Sequence, residues 1–177
     1  MTSENSISKF VRLPDLISLS NGAFGIISIL FSISSKPGLA VLFIILAGIS
    51  DFFDGRVARR MKITSEFGKQ LDSLCDQGSF VIAPMVFVYM IEGIDIRIRT
   101  FVCVFYIIAG VLRLARFNVT GTLNDGKFFE GMPVPFSIPI VASFFAFQFF
   151  EVSLLIWLAL FLIHAVLMVS TLKIRKL

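Results

Sequence analysis

Four aspartates stand at fixed offsets in the segment DFFDGRVARRMKITSEFGKQLDSLCD, between Asp51 and Asp76. The pattern is Asp51-x-x-Asp54-Gly55-x-x-Ala58-Arg59, then, eight residues later, Gly68-x-x-x-Asp72-x-x-x-Asp76. Long apolar runs flank it. One aspartate at the centre of a membrane helix costs roughly 2.5 to 3.5 kcal/mol on insertion scales, so a cluster needs compensation. Hard carboxylate oxygens select magnesium, manganese or calcium over zinc. Four aspartates suit two such ions about 3.5 to 4 Å apart, an arrangement that clamps phosphoryl groups. Gly55, Ala58 and Gly68 leave room for a flat group to approach the backbone, or simply let helices pack closely. Arg59 offers a planar fork to a phosphate. The competing reading is a structural charge cluster in which Arg56, Arg59 and Arg60 pair with the aspartates.

Helical geometry tests this pattern. At about 100° per residue, Asp51, Asp54, Gly55 and Ala58 fall within roughly a 100° arc. Gly68, Asp72 and Asp76 advance about 40° per step and share a face. The intervening RRMKITSEF is polar enough for a turn, and Thr64 or Ser65 can cap the next helix. The two aspartate faces therefore sit at one membrane depth and can converge between the second and third helices.

The chain has 177 residues, is 56% hydrophobic and 16% charged, and holds 21 phenylalanines. This composition predicts an all-α integral membrane protein. A span needs about 20 mostly apolar residues, and six such stretches appear, over 15–34, 38–58, 72–92, 98–118, 134–151 and 153–172. They use most of the chain, so residues 1–177 read as one six-helix transmembrane catalytic domain without a soluble part. Residues 1–12 read equally as a short interfacial helix or as disordered chain. The first apolar stretch has no cleavage-site pattern after it and reads as a retained helix.

With six spans, one side carries Lys9, Arg12, Arg56, Arg59, Arg60, Lys62, Lys69, Arg113, Arg116, Lys127, Lys173, Arg175 and Lys176. The other carries only Lys36, Arg97 and Arg99. The positive-inside rule places the former in the cytosol, in a multi-pass protein of the cell membrane with its aspartate site facing inward. The net charge of +4 points to anionic headgroups and phosphates rather than to nucleic acid. Cys75 and Cys103 show neither disulfide nor zinc spacing. His164 reads as a packed, hydrogen-bonded histidine.

At the aspartate segment the chain resembles the CDP-alcohol phosphotransferases, whose signature is D-x-x-D-G-x-x-A-R-x8-G-x-x-x-D-x-x-x-D. Every signature position is present with the right spacing, and the six-helix layout matches as well. The resemblance implies a divalent-metal-dependent homodimer that moves a phosphate-bearing group from a CDP-linked donor to an alcohol and releases CMP. Carried over residue by residue, it implies that Asp51, Asp54 and Asp72 bind metal. Asp76 would complete that site and act as general base. Asp54, Gly55, Ala58, Arg59 and Gly68 would hold the cytidine and diphosphate. Two ions are implied, Mg2+ or Mn2+, with Ca2+ as a third candidate.

Further segments resemble the membrane phosphatidylserine synthases within that family: LPDLISLSNGAFGI, then GVLRLARFN from Gly110 to Asn118, then FFEGMPVP from Phe128 to Pro135. The resemblance implies L-serine as acceptor and CDP-diacylglycerol or CDP-archaeol as donor. Asp15 stands where asparagine or another polar residue is expected, which leaves its role open. Arg113 and Arg116 lie on adjacent turns of one helix face. They hold the serine carboxylate or the lipid phosphate, with Asn118 bonding the amino acid, or else the arginines snorkel to headgroups. Two alternatives stand beside the serine reading. One keeps the chemistry with glycerol 3-phosphate or inositol phosphate as acceptor; the other is a divalent-cation transporter.

Overall fold

The computed structural model describes residues 12–61, 65–121 and 128–175; within them the side chains of Leu13, Asp54, Gly55, Val57, Ala58, Arg59, Arg60, Met61 and Arg175 are not described. The expected interfacial segment at residues 1–12 lies almost wholly outside this range.

Pro14 and Asp15 open the first helix, α1 (Leu13–Ile33). Proline suits a first turn because no intrahelical partner waits for its missing N–H. The Asp15 carboxylate accepts from the Arg12 N–H at 2.7 Å. A tight turn, with Ser35 at φ +54°, reverses the chain into α2 (Pro37–Met61). These two helices pack along their length. Ser28 Oγ donates to Ala40 O at 2.8 Å near one end, and Ser50 Oγ to Ile17 O at 3.0 Å near the other. Phe43 packs against Phe24 and Phe31 between them.

The third long segment begins at Glu66, earlier than the hydropathy edge at 72, because Ser65 caps it: its Oγ accepts from Gly68 N at 3.0 Å. It runs as α3 (Glu66–Asp76), a π-helical turn (Gln77–Ile82) and α4 (Ala83–Met90). Pro84 supplies a local reason for the turn. It cannot donate into the ladder, and its ring crowds the carbonyl one turn back, which widening the helix relieves.

After a short loop, Asp95 caps α5 (Ile96–Thr120) by accepting from Arg97 N at 2.7 Å. Phe101, Phe105, Ile108 and Leu112 form an exposed stripe on α5, while Val102, Tyr106, Ala109 and Arg113 form a buried stripe about 100° round the helix from it. An apolar exterior of this kind is what lipid as solvent demands.

Residues Phe128–Glu130 (β1) pair antiparallel with Lys173–Arg175 (β2), a ribbon the hydropathy pattern does not predict. The expected fifth span is broken into a 3-10 turn (Val134–Phe136), α6 (Ser137–Ala142) and α7 (Phe144–Phe149). The last helix, α8 (Leu154–Val169), mends the break: Trp157 Nε1 donates to the Ile140 carbonyl at 2.8 Å. Phe87, Phe144, Trp157, Phe161 and Tyr106 form a chain of ring contacts, edge-on except for the tilted Phe144–Trp157 pair. The structure is thus all-α apart from one small ribbon. Pro14–Ile33, Glu66–Met90 and Ile96–Thr120 are long and apolar enough to cross a membrane; Pro37–Phe53, Val134–Phe149 and Leu154–Val169 are shorter apolar helices.

Candidate metal centre

Asp72 and Asp76 are one turn apart on α3, and Asp51 comes from α2. Carboxylate oxygens of these three lie within 4.8 Å of one another, with Asp76 buried and the other two half-buried. The side chains of Asp54, Gly55, Ala58 and Arg59, the remaining signature residues of α2, lie outside the described residues. Three carboxylates this close repel strongly when ionised and need cationic neighbours. Arg113, only 5% exposed, lies within electrostatic range of Asp76, Asp51 and Asp72. Among the described residues it forms no ion pair with them. Among the described residues one guanidinium faces three carboxylates, and a set of hard, partly buried oxygens fits divalent cations.

The elements behind the cluster fix its shape. α1 approaches α3 and the π-helical turn through two glycines. A Cβ on Gly22 would meet Cys75 Sγ at 3.1 Å, and one on Gly25 would lie 2.8 Å from Ser79 Cα. Between them, Asn21 Nδ2 donates to Asp76 Oδ1 at 3.1 Å, while Ser79 Oγ donates to Asn21 O at 2.9 Å. Asn21 is a polar residue of the site that sequence reasoning missed. The available signal was an amide buried on the helix facing the aspartates, and only packing reveals which neighbour it meets.

Gly68 is expected against a nucleotide. In the structure its bare face is turned to Asp15: a Cβ there would lie 2.7 Å from Asp15 Oδ1. Asp15, whose role the sequence leaves open, thus sits against the first turn of α3, where only a residue without a Cβ leaves it room.

The three residues of α5 read as acceptor ligands separate. Arg113 alone turns to the aspartates, with Phe117 beneath its guanidinium at 5.2 Å. Arg116 is committed elsewhere. It donates to the carbonyls of Met168 at 2.9 Å, Ser170 at 3.0 Å, Glu130 at 3.1 Å and Val169 at 3.2 Å. Gly131, at φ +73°, has no Cβ to block this arrangement. Asn118 bridges back to α3: it accepts from Ser73 Oγ at 2.7 Å and donates to Gln70 at 3.1 Å, while its carbonyl accepts from Lys69 at 2.5 Å. The shared-face spacing of Arg113 and Arg116 holds, but the end of α8 competes for the second arginine.

The family model for CDP-alcohol phosphatidyltransferases matches residues 11–172. The chain belongs to this family. Among similar proteins, the archaetidylserine synthase of Methanothermobacter thermautotrophicus is 38% identical over 155 residues, covering 85% of this chain and 65% of that one. The CDP-diacylglycerol–serine O-phosphatidyltransferase of Saccharomyces cerevisiae is 35% identical over 150 residues, 77% of this chain and 54% of the relative. That of Bacillus subtilis is 33% identical over 126 residues, 71% and 70% of the two chains. The chain therefore spans less than two thirds of the length of the first two. In this member of the family, His164 is packed and hydrogen-bonded through both ring nitrogens. Its Nε2 meets Pro133 O at 3.1 Å and its Nδ1 meets Tyr106 OH at 3.0 Å. A carbonyl can only accept, so the proton sits on Nε2 and Tyr106 donates to Nδ1. This bond holds the Gly131–Pro135 turn against α5 and α8.

Proposed function

We propose that this protein transfers a phosphatidyl or archaetidyl group from CDP-diacylglycerol or CDP-archaeol to the hydroxyl of L-serine, releasing CMP. The convergence of Asp51, Asp72 and Asp76 on one point carries the reading, because phosphoryl transfer requires concentrated positive charge beside the diphosphate and these residues are built to hold it. The names of the similar proteins supply the serine.

In this reading Asp51, Asp54, Asp72 and Asp76 hold two divalent ions, Mg2+ or Mn2+. When bound, these neutralise the diphosphate and stabilise the departing CMP. Gly55, Ala58 and Arg59 face the nucleotide, and Gly68 shapes the same wall through Asp15. Asp76 takes the proton of the serine hydroxyl. The serine oxygen then bonds to the lipid-bearing phosphorus as the bond from that phosphorus to the CMP oxygen breaks, and CMP leaves with the electron pair. Arg113 binds the serine carboxylate through a charge-assisted contact. The six helices act as one catalytic domain, in a homodimer whose site faces the cytosol, as the lysine and arginine asymmetry favours.

The test is CMP release by the purified protein supplied with CDP-lipid, divalent metal and a panel of L-serine, glycerol 3-phosphate and inositol phosphate. Serine-dependent, chelator-sensitive release with a serine-containing lipid product is expected. Release only with a phosphorylated acceptor would remove serine from the proposal, and no release with any acceptor would remove the transfer itself.

A further inference from the structure

Asn21 is fully buried on α1 and belongs to none of the metal or nucleotide ligands named above. Its Nδ2 donates to Asp76 Oδ1 at 3.1 Å, and its backbone carbonyl is taken by Ser79 Oγ at 2.9 Å. A carboxylate facing the amide requires a donor, which sets the amide's orientation. The remaining atom, Asn21 Oδ1, is buried and has no hydrogen-bond partner among the described residues. Folding alone gives no reason to bury an amide oxygen unpaired. Nδ2 and Oδ1 share one carbon, so the unpaired oxygen is no more than the width of the amide further from Asp76 than the donor nitrogen.

A neutral oxygen next to a carboxylate attracts a cation. A metal ion bridging Asn21 and Asp76 would face the N–H that Asn21 already aims at Asp76, and a neutral amide is a weak ligand beside three carboxylates. A cation with N–H groups of its own suits the oxygen better. Arg113, brought to the same carboxylate by α5, also has a buried Nε without a partner among the described residues. Asp76 therefore has a hydrogen-bond acceptor near it from one helix and a guanidinium from another.

We propose that Asn21 Oδ1 accepts a hydrogen bond from the primary ammonium group of the acceptor alcohol. The inference rests on the serine reading above. It makes Asn21 the residue that distinguishes an amino alcohol from one lacking the amine, while Arg113 takes the carboxylate and Asp76 the hydroxyl.

The experiment compares L-serine with 3-hydroxypropanoate, which keeps the hydroxyl and carboxylate and lacks the amine, as acceptor or as competitor of serine. In Asn21→Leu the apparent KM for serine should rise about tenfold or more, the size of one hydrogen bond to a charged group. The constant for 3-hydroxypropanoate should move less than about twofold, and so should CDP-lipid affinity measured without acceptor. Equal losses for the two acceptors would mean a merely structural residue and would overturn the proposal. So would a raised metal requirement with unchanged serine KM, which would make the oxygen a metal ligand. Asn21→Gln keeps both an amide N–H for Asp76 and an accepting oxygen and should retain the preference for the aminated compound. Loss of that preference overturns the proposal even where Asn21→Leu does not fold. If the wild-type protein shows no serine-dependent CMP release, the acceptor reading fails and takes this one with it; normal serine use with unaltered discrimination in both variants removes the Asn21 assignment alone.

Discussion

Arg116 and Met168 are joined by a guanidinium-to-carbonyl hydrogen bond of 2.9 Å that ties the end of α5 to the end of α8. The same guanidinium reaches Ser170, Glu130 and Val169. The last carbonyls of a helix lack intrahelical donors and carry its negative dipole end, so a cation there satisfies both. Arg116 holds together three pieces that are distant in sequence: α5, the Gly131 turn and the C-terminal segment.

Arg116→Ala should therefore act on stability rather than on acceptor use. Unpairing these part-buried carbonyls from a charged donor costs about 1 to 2 kcal/mol. Thermal unfolding in detergent should show a lower Tm, with the serine KM of the surviving enzyme little changed. An unchanged Tm with a raised serine KM would return Arg116 to the acceptor pocket.

Asp72→Asn and Asp76→Asn should each nearly abolish the proposed transfer, for different reasons. The Asp72 variant loses a metal ligand, so its CDP-lipid affinity should weaken and its metal requirement rise. The Asp76 variant loses the base, and donor binding should survive better. Measuring CMP release beside equilibrium binding of the CDP-lipid separates the two. Substantial turnover by either variant at saturating metal contradicts the assignment.

Two glycines in the same region should respond oppositely to alanine. A methyl at Gly25 would lie 2.8 Å from Ser79 Cα, a backbone atom that cannot swing away, whereas nothing lies within 4 Å of a Cβ at Gly78. Gly25→Ala should push α1 from the π-helical turn, lowering stability by about 1 to 3 kcal/mol and disturbing the Asn21–Asp76 contact. Gly78→Ala should be neutral or slightly stabilising. Unfolding curves and CMP release of both variants decide; a benign Gly25→Ala would show that the seam is looser than its geometry implies.

Topology is checked by labelling single cysteines at two exposed positions, Glu66 and Glu92. The helix between them is long enough to span, so an impermeant reagent should reach the two from opposite sides, with Glu66→Cys on the cytosolic face. Labelling of both from one side would overturn the proposed orientation and the six-span arrangement together.

Read without coordinates, the chain already determines its class and the heart of its site. Hydropathy marks the apolar stretches, and three of the resulting helices, Pro14–Ile33, Glu66–Met90 and Ile96–Thr120, are long and apolar enough to cross a membrane. Helical periodicity sets Asp72 and Asp76 on one face, and the packing of α2 on that face brings the oxygens of Asp51, Asp72 and Asp76 within 4.8 Å of one another. What periodicity cannot express is competition between neighbours from distant parts of the chain. Arg113 and Arg116 look equivalent on α5, yet one lies within electrostatic range of the aspartates and the other bonds the carbonyls at the end of α8. Asn118 turns to Ser73 and Gln70. Gly68 turns to Asp15. Asn21 carries no motif at all, and its significance comes from two glycines that let α1 approach closely enough for an amide to reach Asp76. Backbone interruptions are also tertiary decisions in part: Pro84 marks where α3 and α4 must be reconciled, while at the break between α6 and α7 the Ile140 carbonyl accepts both from the local Ser143 Oγ and from the distant Trp157 Nε1. Side-chain type and spacing act locally and are legible in order along the chain. Which partner wins a given donor depends on distances that only the packed bundle defines.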